Sequence, residues 1–239
     1  MTSAAAPRLA TLFSPDPDGT AVMDGSGDDY ADGDAAAVDD ETLAQIRRAG
    51  TAVADGELVV YPTETVYGLG ADALSTSAVE RVFETKGRDR DDPLSLGVTS
   101  VDAALAHTRP TSLATAFMRA FLPGPVTVVV EREASVPDAL TGGRDRVGIR
   151  VPDHPIALAV LEETGPLTAT SANVSGTGSV HTAAALDDSV RAASAVVIDG
   201  GRTGGAESTV VDPELGELHR RGAMADAIEA WLADPPTSA

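Results

Sequence analysis

From Asp40 onward the sequence alternates between two hydrophobic periodicities, and that alternation most limits the folds open to it. Short apolar runs closed by proline, glycine or polar residues, such as Glu57-Leu58-Val59-Val60-Tyr61 before Pro62, recur between segments whose apolar residues lie three and four apart, such as Val79, Val82 and Phe83. The first pattern fits buried strands and the second amphipathic helices. Strands are predicted over 57–61, 94–98, 126–131, 147–151, 167–170, 195–199 and 208–212. Helices are predicted from Asp40, acting as the cap, to Asp55-Gly56, from about Ser77 to Lys86, and over 100–107, 112–121, 154–163, 182–192 and 223–233. Thr63 to Gly70 reads as a polar loop. Interleaving of this kind implies an α/β (α+β) fold of layered helices around a mixed sheet, and no internal repeat breaks it.

The first 37 residues differ: Ala, Pro, Gly, Ser, Thr and Asp dominate, with almost no aliphatic periodicity. Such a segment buries too little apolar surface to offset its ordering entropy. The expected organisation is an acidic disordered tail over 1–37, one domain over 38–234 and a short disordered end over 235–239.

Composition removes several classes of function. The chain of 239 residues has no cysteine, so it holds no disulfide, thiolate metal site or thiol nucleophile, and its four histidines show no ligand spacing. No apolar stretch is long enough for a membrane span and no basic-then-apolar leader opens the chain, so a soluble, cytoplasmic protein is expected. A formal charge of −20 opposes nucleic acid and anionic membranes, so tight tRNA binding is not expected. The many acidic residues suggest a surface suited to a salty cytoplasm. Of the 17 basic residues only Lys86 is a lysine. A chain that uses arginine everywhere else keeps a compact ammonium there, which marks the position for attention.

There is no GxxxxGK[ST] phosphate loop, Gly68-Leu69-Gly70 lacks the third glycine of a dinucleotide fingerprint, and no Gly-x-Ser-x-Gly elbow is present. What stands out is a series of polar segments at predicted element ends: Tyr61-Pro62-Thr63-Glu64-Thr65-Val66-Tyr67-Gly68-Leu69, Lys86-Gly87-Arg88, Pro93-Leu94, Pro123-Gly124-Pro125-Val126-Thr127, Gly148-Ile149-Arg150-Val151-Pro152, Ser171-Ala172-Asn173-Val174-Ser175-Gly176 and Glu207-Ser208-Thr209-Val210-Val211-Asp212. Singly each is an ordinary turn, cap or solvated helix end. In this order they resemble the YrdC-like family of L-threonylcarbamoyladenylate synthases, in its short form, from about residue 40 to about 222.

The resemblance implies a single YrdC-like domain, an open twisted mixed sheet whose concave face is the active site. It implies a nucleotidyltransferase that joins L-threonine, bicarbonate and ATP, with Mg²⁺, into threonylcarbamoyl-AMP and pyrophosphate, the product passing to a threonylcarbamoyl transferase complex that modifies tRNA. The family's Lys-x-Arg and Ser-x-Asn tetrad falls on Lys86, Arg88, Ser171 and Asn173, the implied catalytic residues. Threonine would be held by Thr65, Arg150, Ser208 and the backbone near Ala169, and ATP by Arg88, Asp92, Ser171, Ser179 and Arg220. The side-chain types suit those roles: Arg150 can grip a carboxylate through a bidentate fork, Arg88 a phosphate, and Lys86 can serve as a movable point charge. Asp92 and Gly97 stand where the family pattern has Asn and His, and Arg220-Arg221-Gly222 replaces Arg-Pro-Gly, leaving open which arginine faces ATP. Two other readings fit less of the pattern: a paralogue with another acyl acceptor or a hydrolytic role, and a non-catalytic RNA-binding module, which the acidity and 3% aromatic content disfavour.

If the domain begins after the acidic segment, a protein lacking residues 1–37 will melt as cooperatively as the full chain. A broadened transition on thermal denaturation would place part of that segment in the fold.

Overall fold

The computed structural model describes residues 38–235, so the expectations for residues 1–37 and 236–239 lie outside the described residues. Helix α1 (Asp40–Ala54) starts one residue earlier than expected: Asp39, not Asp40, is the cap, its carboxylate accepting from the Thr42 amide at 2.7 Å. Strand β1 (Leu58–Pro62) follows, then β2 (Tyr67–Gly70), paired antiparallel with Tyr61 opposite Gly68.

The expected loop is therefore shorter, and half of it is strand. Gly68 and Gly70 carry no strand signal in the sequence, but their missing side chains make room for the Tyr61 ring. A Cβ on Gly70 would lie 2.9 Å from Tyr61 Cε1 and 3.0 Å from Leu167 Cδ1.

Helix α2 (Thr76–Lys86) is capped by Ser75 and closes at Gly87, whose φ of 57° is the left-handed geometry that glycine adopts without strain. The remaining elements are β3 (Ser95–Gly97), α3 (Val101–Leu105), α4 (Ser112–Phe121), β4 (Val126–Glu131), α5 (Asp138–Thr141), β5 (Arg146–Arg150), α6 (Pro155–Thr164), β6 (Leu167–Ser171), α7 (Asp188–Ala193), β7 (Ser194–Val197), β8 (Thr209–Asp212), β9 (Glu217–Arg220) and α8 (Ala225–Ala233). The helix expected over 182–192 is broken into a 3-10 turn, Ala183–Ala185, and α7, because Asp187 opens a new helix by accepting from the Ser189 amide at 2.8 Å. The short α5 and the edge strand β9, whose residues are mostly exposed, have too little apolar periodicity to be read from sequence.

Among the described residues nine strands form one open, mixed sheet in the order β7-β1-β2-β6-β3-β5-β4-β8-β9. Pairs β1–β7, β3–β5 and β4–β8 are parallel and the rest antiparallel. Side chains alternate across it with period two. Val126, Val128 and Val130 of β4, Val147 and Ile149 of β5 and Leu96 of β3 point into the main core with Val79, Val82 and Phe83 of α2 and Phe117 and Met118 of α4. On the opposite face α1 and α6 cover only the β7-β1-β2-β6 half, burying Ile46, Ala49, Val160 and Leu161 against Val59, Tyr61, Leu167 and Val196. Over β3, β5, β4 and β8 that face carries Ser95, Gly97, Thr127, Gly148 and Arg150 and floors a cavity instead. No helix among the described residues is long and apolar enough to cross a membrane.

The crowding around Tyr61 gives a test. Gly70→Ala forces a methyl group into van der Waals overlap with Tyr61 and Leu167 and will destabilise the domain by about 1–3 kcal/mol. Gly97→Ala, whose Cβ would meet nothing closer than 3.4 Å, will change stability by less than about 1 kcal/mol. Urea denaturation midpoints of the two variants check the contrast.

Candidate active site

The uncovered half of the sheet floors a cavity of about 830 Å³, within the range that holds a small-molecule ligand. Its floor is flat because Gly148 has no side chain: a Cβ there would lie 2.7 Å from Ser95 Oγ and 2.9 Å from Thr127 Cγ2. Of the residues singled out from sequence, Thr65, Arg88, Asp92, Arg150, Ala169, Ser171, Ser208 and Arg220 line this one cavity, and Lys86, Asn173 and Ser179 do not.

Arg150 ends β5 and is 8% exposed. Its Nη1 donates to the carbonyls of Gly124 and, at 3.1 Å, Val126, which explains the Pro-Gly-Pro turn: the segment aims backbone oxygens at a guanidinium. Nη2 donates to Glu64 Oε1 at 2.6 Å. Three of the five guanidinium N–H groups are thus engaged, and two donors remain, the number a two-point grip on a carboxylate requires. Burial pushes the Arg150 guanidinium below its ordinary value, and the neighbouring Glu64 carboxylate opposes that shift. Burial also drives the Tyr61 phenol up to about 12, against the pull of Arg150.

The Thr63 hydroxyl organises the turn before β2. It donates to the Val66 carbonyl at 2.7 Å, accepts from the amides of Thr65 and Val66, and lies 3.0 Å from the Thr65 hydroxyl, which is buried against the cavity.

On the opposite wall, Ser208 Oγ accepts from Arg220 Nη2 at 2.9 Å and lies 3.2 Å from Thr127 Oγ1. Glu207 bridges Arg220 (3.3 Å) and Ser179, whose hydroxyl donates to it at 2.7 Å. Arg221 instead pairs with Asp226 and Glu229 of α8, so Arg220 is the arginine that faces the cavity. Arg88 folds over its own loop, donating to the carbonyls of Asp92 (2.9 Å) and Pro93 (3.3 Å).

Lys86 is the largest correction. It was expected as a movable charge at a solvated helix end, yet it is 1% exposed. Its ammonium donates to the carbonyls of Ser171 and, at 2.6 Å, Asn173, fastening α2 to the turn after β6. The turn is braced further by Ser171 Oγ donating to Asn173 Oδ1, and by Asn173 Nδ2 donating to the carbonyls of Val174 (2.8 Å) and Thr177 (2.9 Å). Burial first, and then the nearby Arg88, hold the Lys86 ammonium down at about 8.

Glu64, Glu207, Thr63 and Thr127 received no role from the sequence, though all four lie in the segments it singled out. What could not be read is that each acidic side chain folds back on an arginine. Arg88, Arg144, Arg146, Arg150 and Arg220 outnumber Asp92, Glu207 and Asp212 around the cavity, so a positively lined hollow sits in a chain of charge −20. Arg146 is committed within the protein, to Asp212 at 2.7 Å and Glu214 at 2.8 Å. No group of three potential metal-ligating side chains occurs among the described residues.

A family model named for Sua5, YciO and YrdC and described as "Telomere recombination" matches residues 51–222. The chain is 43% identical over 172 residues to the threonylcarbamoyl-AMP synthase of Pyrococcus abyssi, covering 70% of this chain and 50% of that protein. With the threonylcarbamoyl-AMP synthase of Bacillus subtilis it is 42% identical over 178 residues, covering 70% and 49%. It spans about half the length of these relatives. The solved structure of P. abyssi Sua5 complexed with L-threonine superposes with a TM-score of 0.70 at 41% identity, over 74% of this chain and 54% of that one.

Lys86 yields a prediction on stability. Lys86→Met leaves two buried carbonyls without a donor and will cost about 1–3 kcal/mol; Lys86→Arg overfills the same place and will cost a similar amount. The amine titrates at about 8 when folded against 10.5 ordinarily, so between those values the unfolded chain holds the proton more tightly. Wild type therefore gains stability relative to Lys86→Met as pH rises from 8 toward 10. Chemical denaturation of both proteins at pH 7.5 and 9.5 measures this, and a pH-independent difference would contradict a desolvated ammonium.

Proposed function

Because this chain belongs to the Sua5/YciO/YrdC family, we propose that it is an L-threonylcarbamoyladenylate synthase, a nucleotidyltransferase acting in tRNA modification in the cytoplasm. The observation that supports this most is the single cavity onto which Thr65, Arg150, Ser208, Arg88, Ser171 and Arg220 open together. It offers a cation and hydroxyls for an amino acid beside two further arginines for a nucleotide.

In this reading the threonine carboxylate takes the two free N–H donors of Arg150, and its hydroxyl meets the Thr65–Thr63 pair. The amine forms a bond to the carbon of CO₂ derived from bicarbonate and releases a proton. An oxygen of the resulting N-carboxylate then attacks the α-phosphorus of ATP, and the α–β bridging bond breaks with its electrons leaving on pyrophosphate. Arg88 and Arg220 are placed to stabilise phosphate oxygens, and Lys86, outside the cavity lining, positions Ser171 and Asn173. Magnesium arrives as part of the nucleotide substrate, chelated by its phosphates. Asp92 and Ser179 complete the nucleotide side, Ser179 through its bond to Glu207. The adenylate passes to a separate threonylcarbamoyl transferase complex, in keeping with an overall charge that opposes tight tRNA binding by this chain.

The purified protein, given ATP, Mg²⁺, bicarbonate and L-threonine, will release pyrophosphate and form a product with the mass of threonylcarbamoyl-AMP. Valine will be slower by about tenfold or more in kcat/KM, since it forgoes the hydrogen bond that the Thr65–Thr63 pair offers the substrate hydroxyl. Equal pyrophosphate release with valine and threonine would exclude this assignment, and a salt-dependent RNA shift without turnover would favour an RNA-binding role instead.

A further inference from the structure

We propose that Glu207 is an exchangeable anion built into the phosphate side of the cavity: its carboxylate occupies the open edge of Arg220 until a polyphosphate displaces it, and returns as the polyphosphate leaves. This deepens the nucleotide-binding role given to Arg220 above and rests on it.

Arg220 does not need Glu207 to hold it in place. Its Nε donates to the Ser208 carbonyl at 3.0 Å and its Nη2 to the Ser208 hydroxyl at 2.9 Å, so a single residue fixes the plane and direction of the guanidinium. Glu207 Oε2 lies 3.3 Å from Nη1, the part of the fork that Ser208 leaves over. Both Glu207 and Arg220 line the cavity. The carboxylate oxygen therefore sits where a ligand's phosphate oxygen would pair with the same arginine.

This carboxylate, unlike its neighbours, is free to leave. Asp212 and Glu214 meet Arg146 at 2.7 and 2.8 Å, and Glu64 meets Arg150 at 2.6 Å, with carboxylate side chains only 1%, 15% and 18% exposed. The Glu207 side chain is 47% exposed and its ion pair is longer. An exposed pair of this kind contributes little, and its carboxylate passes into water at small cost. The main chain stays behind: the Glu207 carbonyl accepts from the Ala223 amide at 3.0 Å, and a Cβ on Gly222 would lie 2.2 Å from that oxygen. Among the described residues the one hydrogen bond to the side chain comes from the Ser179 hydroxyl, which donates to Oε1 at 2.7 Å and steadies the carboxylate beside Arg220. Glu207 is thus a movable arm on a fixed base. A singly charged anion offers Arg220 no more than Glu207 already does, whereas a polyphosphate carries several charges and can meet Arg88 as well. The arm excludes the first, yields to the second, and eases release of pyrophosphate when it returns.

Binding is measured without threonine, so that turnover does not enter. ATP and inorganic tripolyphosphate are titrated calorimetrically into wild type, Glu207→Gln and Glu207→Asp. Glutamine removes the competing charge; aspartate keeps it on an arm one methylene shorter, which cannot span Ser179 and Arg220 together. Both ligands are expected to bind Glu207→Gln about threefold to tenfold more tightly than wild type, and Glu207→Asp about twofold or more. Unchanged or weaker binding in a Glu207→Gln protein that melts cooperatively overturns the proposal and leaves the nucleotide site standing. Tighter binding by Glu207→Gln alone, with Glu207→Asp equal to wild type, also overturns it, because repulsion rather than occupancy would then be acting. Should a variant fail to fold, a structure of wild type with tripolyphosphate bound decides: the carboxylate is expected to have left Arg220, and one still paired there overturns the proposal. Wild type that binds neither ligand overturns the nucleotide-binding reading, and this proposal with it.

Discussion

A strand presents its side chains to opposite faces in turn, and the central strands of this protein use that constraint to build core and site from the same five or six residues. In β4, Val126, Val128 and Val130 enter the core while Thr127 and Val129 face the cavity; in β5, Val147 and Ile149 alternate with Arg146, Gly148 and Arg150. A slip of one residue in either strand would turn its core residues toward the cavity, and in β5 it would put Arg146 and Arg150 in the core, so packing itself fixes the orientation of the polar groups. The apolar face supplies the stability that lets the other remain polar and uncovered. The helices of the second layer stop at β6, and the cavity begins where they stop.

Two cations are buried within this framework, and each is handled by backbone oxygens rather than by side-chain pairing alone. Lys86 uses the carbonyls of Ser171 and Asn173, and Arg150 those of Gly124 and Val126. A carbonyl neutralises no charge, but it replaces lost hydration in a position that the fold dictates, and a buried cation without such partners would be strongly destabilising. The same contacts tie strand ends to loops across the wall of the cavity. Site geometry and domain stability are therefore coupled at these residues, which is why Lys86 is not the freely moving charge that a helix-end position suggests.

The sequence revealed most where apolar periodicity was strong. Residues 126–131 and 112–121 occupy the predicted strand and helix to the residue, because valines in one and Ala114, Phe117 and Met118 in the other leave no competing period. It revealed least where function or crowding had removed side chains. Strand β2 was hidden by Gly68 and Gly70, which are small to admit Tyr61, and β9 by its exposure at the sheet edge. The motif residues were found as a set, and the cavity gathers most of them, but their partners were not visible: nothing in Thr63-Glu64-Thr65 says that its carboxylate crosses to Arg150, 86 positions away. Solitude singled out Lys86 without saying that it is buried, since burial is decided by what packs over the helix end and not by the residues beside it.

The contrast between a chain of −20 and a cavity lined by five arginines is resolved by distance. At physiological ionic strength, solvent-exposed charges are largely screened beyond about 8 Å, so most of the acidic surface does little to an anion already inside the cavity. Contact partners do much more, and there the arginines differ. Arg146 is matched by Asp212 and Glu214, Arg150 by Glu64, and Arg220 in part by Glu207, whereas Arg88 and Arg144 donate to carbonyl oxygens. The cationic character available to a ligand is thus graded. It is stronger at Arg88, in the loop that leads out of α2, which has no carboxylate partner, than at Arg150, deep on the sheet, which has one. A polyphosphate is favoured near the first and a molecule carrying both charges near the second, so the placement of a few acidic side chains, rather than the number of basic ones, orders the two substrates within one cavity.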